Sequence, residues 1–464
     1  MSSSTPTKAL TVFSLTMITV GSVDSIRNLP ATALFGSQLI FFFTLAALLF
    51  LIPCALISAE LASTYPEQGG IYTWVKHAFG KRIGFLAIWL QWIENVIWYP
   101  TLLSFVAGTI GYLISPDLAQ SPYFLISVIL CAFWGVTALN LMGMETSAFF
   151  SSLCTLTGLL LPMTLIISLG FVWFFSGKPI QLDLAFDKLL PHWGDKDAWM
   201  SLTAIMMSFC GIEIATVHAG DVENPQRAFP LALAYSVGIV LVTLILGSLA
   251  IASVLPHDSI SLVAGIMQAF DAFFHAYHMT WIMPLIALML VLGGLGSVNN
   301  WIIAPTKGLL VAAEEGNLPE SLCATNQHGA PTTLLIYQAI LVSLLCAAFL
   351  LLPTINSAYW FLTALAAQLY MIMYLIMFVT AIVLRLKNPN KKAAFKVPGG
   401  TKGLIFVASI GIFSTLTTIV ISIFPPSDVD IHSITRYVLS LLIGCFILCV
   451  PPLLLKDHKP EIKD

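Results

Sequence analysis

The stretch Thr16–Phe35, "TMITVGSVDSIRNLPATALF", begins like a membrane helix and then carries Gly21, Asp24 and Arg27 within seven residues, with Pro30 following. An ionisable side chain at the bilayer centre costs roughly 2.5–3.5 kcal/mol on insertion scales. A helix breaker, an acid and a base in one apolar segment leave two readings. Either the segment is not a span, or it is a span interrupted for a purpose.

Composition removes the first reading. The chain has 464 residues, 58% hydrophobic and 9% charged, with mean hydropathy +0.92. Soluble domains carry about 25% charged residues. Apolar runs of about 20 residues, each long enough for ~30 Å of hydrocarbon, recur along the whole chain. The sequence therefore reads as a polytopic helical membrane protein with essentially no soluble domain. Its net charge of −3 gives no pointer to nucleic acid. The partners expected are the lipid bilayer and a small molecule, with the chain a monomer or a homodimer.

The eight cysteines form no CxxC pair and no Cys/His cluster. Seven lie in apolar spans, where cysteine acts as a small hydrophobe. No metal is expected, and no P-loop or Gly-rich nucleotide motif is present, so no cofactor is expected either. The N-terminal "MSSSTPTKAL" does not read as a cleaved leader.

Twelve candidate spans follow from the hydropathy pattern: 10–33, 37–63, 83–113, 121–142, 148–176, 198–220, 230–255, 279–312, 331–352, 358–386, 403–424 and 433–455. With the N-terminus inside, the outer loops hold only Lys178, Lys188, Lys196 and Arg436. Nearly all other Lys and Arg residues lie in inner loops or at the ends. The positive-inside rule then makes both termini cytoplasmic. A bacterial inner membrane is the expected location.

The sixth span repeats the oddity of the first. "AIMMSFCGIEIATVHAGDVENPQRAFP" places Gly211 and Glu213 mid-span, with Pro225 and Pro230 after them. Spans one and six are equivalent if spans 1–5 and 6–10 are two repeats. Paired Gly-interrupted segments in corresponding places are the best sequence pointer to a transporter's binding site. A repeat of five spans is inverted in the membrane. The chain then divides into an N-terminal tail 1–9, a first repeat 10–176, an outer loop 177–197, a second repeat 198–386, a basic loop 387–402, two extra helices 403–455 and a tail 456–464.

Unwinding a helix frees backbone N–H and C=O groups. These cost several kcal/mol each in hydrocarbon unless buried in protein or facing a wet cavity. A small zwitterion can satisfy them, its carboxylate on free N–H groups and its ammonium on free carbonyls. Gly21, Ser22 and Val23 are expected to serve the carboxylate, with Asp24 beside them. Carbonyls around Cys210 and Gly211, with Ser208 and Phe209, are expected to serve the amine. The alternative is that these glycines only let helices pack closely.

Glu94, in "AIWLQWIENVIWYP" among Trp89, Trp92 and Trp98, reads as a proton carrier, a cation partner, a partner of Arg27, or a structural hydrogen-bonding group. Glu213 reads as a titrating site group or a cap on broken backbone. Asp24 and Arg27 are spaced to pair, if the helix persists between them. Trp301 and Tyr370 are aromatics able to gate a pocket or to fill a core. Glu60 reads as a helix-end contact, His218 as a polar contact, and Asn299 and Asn300 as facing the interior.

Four stretches resemble the amino acid–polyamine–organocation superfamily of secondary transporters: "ISAELASTYPEQGGIYTWVKHAFG", "FCGIEIATVHAGDVENPQRAFPLAL", "WIIAPTKGLLVAAEEGNLP" and "FKVPGG". Within it, "SLVAGIMQAF", "NQHGAPTTLL" and "SIFPPSDVD" are similar to the bacterial glutamate/GABA antiporters. The resemblance implies substrate between broken spans one and six, and a tyrosine of span ten, here Tyr370, closing the path. It supports site roles for Gly21, Ser22, Gly211 and Glu213. The usual Gly-Ser-Gly of span one is Gly-Ser-Val here, and Asp24 and Arg27 add charges. Plant polyamine permeases resemble this chain in an acidic first span and an acid near Glu94. The sequence thus predicts an amino-acid antiporter. A proton-coupled amino-acid or polyamine carrier is the first alternative, and a channel or nutrient sensor the second. No triad or cofactor motif suggests an enzyme.

Overall fold

The computed structural model describes residues 11–67, 69–142, 154, 156–183, 185–191, 194, 196–214, 216, 222, 224–391, 393, 395–425 and 433–454. His218 and both tails lie outside the described residues.

Among the described residues, ten helices are long and apolar enough to cross a membrane: Gly36–Thr64, Lys81–Ile114, Pro122–Leu141, Thr157–Phe175, Arg227–Val254, Thr280–Asn317, Thr332–Leu351, Ile355–Lys387, Gly400–Ile421 and Ile434–Leu454. They match ten of the twelve predicted spans. The other two, spans one and six, are the interrupted ones. Span one is a helix Val12–Val23, here α1, and a shorter helix Leu29–Ala33, here α2. The described helix of span six is Lys196–Ser208, here α3.

Hydroxyl side chains start several helices. Thr11, Ser121, Thr354 and Ser433 each accept the amide three residues on, Thr354 from Ser357 at 3.0 Å. Each satisfies one of the orphan donors at a helix start. Inside the spans, hydroxyls turn back onto carbonyls: Thr19 donates to Leu15 at 2.8 Å and Ser22 to Ile18 at 2.8 Å. That keeps polar groups paired within their own helix.

Lys81–Ile114 is the central rod, with 72% of its apolar window buried, against 17% for the peripheral Ile434–Leu454. It packs mainly against Thr280–Asn317 and Ile355–Lys387, and α1 packs against Arg227–Val254. Gly158 and Gly293 bring the fifth and eighth spans together backbone to backbone. A Cβ on Gly158 would stand 2.1 Å from the Gly293 nitrogen. Small residues permit such approaches between membrane helices. Asn140 donates to Asn299 Oδ1 at 2.7 Å, which places Asn299 in the interior as expected.

At the end where Thr64 and Lys387 lie, Glu60 accepts from Arg385 and from the Val397 amide at 2.7 Å. Glu60 is thus a helix-end tie between spans. Beside it, Lys76 and the Tyr72 hydroxyl meet Glu315, at 2.6 and 2.7 Å. Burial, with Glu315 alongside, pushes the Tyr72 hydroxyl up, so it remains a donor at ordinary pH.

Candidate functional site

The first break falls later than Gly21. Gly21, Ser22 and Val23 form the last turn of α1, and the Asp24 amide still donates to Val20 at 2.7 Å. The chain leaves the helix at Asp24 (φ −72°, ψ 126°) and Ser25 (φ −145°, ψ 115°), and re-enters through a 3-10 turn Ile26–Asn28. A helix end presents carbonyls and a helix start presents amides. Gly21, Ser22 and Val23 therefore offer carbonyls, not the N–H groups expected from the sequence. The amides begin beyond the break. Glycine weakens a helix by only about 1 kcal/mol, and packing against Arg227–Val254 holds the turn closed.

The second break follows α3. Gly211 has φ +101°, and a Cβ there would lie 2.7 Å from the Trp301 ring, so backbone and space both require glycine. Its amide donates to the Tyr374 hydroxyl at 2.8 Å. Its carbonyl accepts from Ile214 at 3.1 Å, which occupies one of its two lone pairs. The Ser208 hydroxyl donates to Ile205 at 2.7 Å, and Phe209 packs edge-on to Phe43 at 5.7 Å. Neither lines the cavity between the breaks.

Between the breaks lies a small cavity of about 20 Å3, room for about one water. Ser22, Val23, Arg27, Glu94, Trp98, Cys210, Trp301 and Tyr370 line it, and all were singled out by the sequence. Gly21, Asp24, Ser208, Phe209, Gly211 and Glu213 do not line it. Ser25, Asn28, Asn95, Met207 and Ser297 line it and were missed. Spacing held part of the signal: Ser297 stands four residues before Trp301, on one helical face.

Arg27 and Glu94 give the cavity its character. Arg27 Nη1 donates to Thr101 Oγ1 and Tyr359 Oη, each at 3.1 Å, and the guanidinium sits 4.8 Å from the Trp98 ring centre. Its Nε has no partner, and neither has Glu94 Oε2. Among the described residues no carboxylate lies within salt-bridge distance of Arg27. The pairing with Asp24 that spacing allowed is absent, because the break turns Asp24 toward Thr243 at 2.8 Å.

Glu213 is 2% exposed and fully engaged. Tyr370 and Gln91 donate to Oε1 at 2.8 and 3.0 Å, and Tyr374 donates to Oε2 at 2.5 Å. The carboxylate ties the broken segment to spans three and ten through side-chain donors. Trp98, Trp301, Tyr370 and Tyr374 form a chain of rings 4.9–6.5 Å apart along one wall.

Interrupted helices around a polar pocket, inside a bundle of apolar spans, define a multi-pass membrane transporter. The chain belongs to the amino acid permease family, whose model matches residues 10–448. An uncharacterized transporter of Legionella pneumophila is 43% identical over 457 residues, covering 98% of each chain. A glutamate/gamma-aminobutyrate antiporter of Lactococcus lactis is 29% identical over 97% of this chain and 90% of its own. A probable polyamine transporter of Arabidopsis thaliana is 26% identical over 83% of this chain and 72% of its own.

Proposed function

We propose that the protein is an amino-acid antiporter working by alternating access. Its substrate binds between the two breaks, with Arg27 facing a carboxylate and Glu94 facing an ammonium. The observation that carries this reading is the pair of incompletely bonded, oppositely charged side chains lining one cavity. A zwitterion completes both; a simple ion completes one at most, and a hydrocarbon neither. The free carbonyls of Ser22 and Val23 add acceptors for the ammonium. The cavity is smaller than any amino acid, so this arrangement is a closed one, and binding requires the helices around it to part.

In this reading the chain has twelve spans, arranged as two inverted repeats of five and two further helices. Both termini are cytoplasmic, in a bacterial inner membrane. One bundle rocks against the rest around the midplane site, and Trp301 and Tyr370 close over the substrate. Exchange needs no cofactor. The kinship with a glutamate/gamma-aminobutyrate antiporter supports exchange. A second reading, proton-coupled uptake of an amino acid or polyamine, draws on the unpaired Glu94 oxygen beside an aromatic wall, which suits an ammonium.

The test is uptake of labelled glutamate, GABA and putrescine into proteoliposomes, with and without unlabelled amino acid trapped inside. Flux that requires internal amino acid supports exchange. Flux into empty vesicles that follows an imposed pH gradient overturns it in favour of the second reading.

A further inference from the structure

The first break holds a carboxylate that the cavity between the breaks does not use. Asp24 is 2% exposed. Thr243 donates to its Oδ2 at 2.8 Å, and Oδ1 has no partner. The carboxyl lines a second cavity of about 20 Å3, again room for about one water. Ser25, Arg27 and Ser297 line both cavities, so the two compartments adjoin across Arg27.

Among the described residues, Arg27 is the one charged side chain that lines this cavity with Asp24, and Glu94 lines the neighbouring one. The third, fifth and eighth spans present leucine, phenylalanine and glycine residues and Ser297; the seventh presents Thr243. Arg27 is turned toward Trp98, Thr101 and Tyr359.

An ionised carboxylate has about four acceptor positions, and here only the Thr243 hydroxyl and the neighbouring Ser25 amide reach it, with Oδ1 left without a hydrogen bond. A buried charge left so poorly paired costs several kcal/mol, and a proton on Oδ1 removes that cost. A metal ion is a poor match. Hard cations such as Ca2+ take 6–8 oxygens, whereas the side chains here supply one carboxyl and two serine hydroxyls. No group of three or more His, Cys, Asp or Glu side chains able to hold a metal occurs among the described residues.

We infer that Asp24 is a proton-binding site in its own compartment, adjoining the substrate cavity across Arg27, and that its proton accompanies the transport cycle. The step makes and breaks one O–H bond: Oδ1 takes a proton from water reaching its cavity and returns it to water on the other side. The coupling rests on the transporter reading above; the proton site does not.

Infrared difference spectra of the full chain in lipid, recorded through a pH titration, test the site directly. The wild type is expected to show the carbonyl stretch of a buried carboxylic acid, which Asp24→Asn lacks and Glu94→Gln keeps. Thr243→Val removes the one side-chain donor to Asp24 and is expected to move the pH at which that band appears. The same band in Asp24→Asn, or a midpoint unmoved by Thr243→Val, overturns the site. In vesicles loaded with a pH dye, protons moved per labelled amino acid are expected to fall to background in Asp24→Asn; an unchanged ratio overturns the coupling. The spectrum needs no moving substrate, so a band without flux defeats the transporter reading and leaves the proton site standing.

Discussion

The Gly211 amide donates to the Tyr374 hydroxyl at 2.8 Å, so the break in span six is pinned by a side chain from span ten. The same hydroxyl donates to Glu213 at 2.5 Å. One oxygen thus serves a backbone donor and a carboxylate acceptor on the same unwound turn. Leaving a buried donor unmatched costs about 1–3 kcal/mol. Tyr374→Phe is expected to speed hydrogen exchange at residues 209–214 and to weaken substrate binding roughly 5- to 100-fold, read by calorimetry. Unchanged exchange in that segment counts against the pin.

Gly211→Leu is expected to abolish binding while the protein still inserts. The φ of +101° strains any L residue, at about 1–3 kcal/mol, and the new Cβ meets the Trp301 ring at 2.7 Å. Normal expression with normal binding would remove the second break from the site.

Arg27→Lys is expected to cut flux at least tenfold. The guanidinium stacks near Trp98 and bonds two hydroxyls at once, and an ammonium cannot reproduce both. Vesicle uptake at saturating substrate is the measurement, and flux equal to wild type means that charge alone suffices at this position.

The two ion pairs at the basic end of the bundle should behave differently. Arg385 and Glu60 are 7% and 8% exposed, so Arg385→Met leaves a buried carboxylate and is expected to cost about 3–5 kcal/mol. Lys76 and Glu315 are 32% and 29% exposed, and Lys76→Ala is expected to cost about 0–1 kcal/mol. Thermal unfolding in detergent compares the two, and equal losses contradict the burial argument.

Much of the site was legible because membrane helices tolerate few polar residues, and those present stand out. Arg27, Glu94, Trp98 and Tyr370 announced themselves in this way, and the cavity gathers all four. The position of the first break was less legible. Gly21 is the visible breaker, yet the helix runs on to Val23, because a single glycine costs less than packing returns. The partners of Glu213 were not legible at all. Gln91, Tyr370 and Tyr374 lie more than a hundred residues away, and no local spacing brings them to it. Asp24 and Arg27 misled for the opposite reason: their spacing suits a helix, and the chain between them is not one.

The meeting of Gly158 and Gly293 has a mechanical consequence. Side chains ordinarily keep packed helix axes about 8–10 Å apart, the width their bulk requires. Here two backbones touch with nothing between them. The seam between the fifth and eighth spans has no clearance there, so a side chain added at either glycine would wedge the two helices apart.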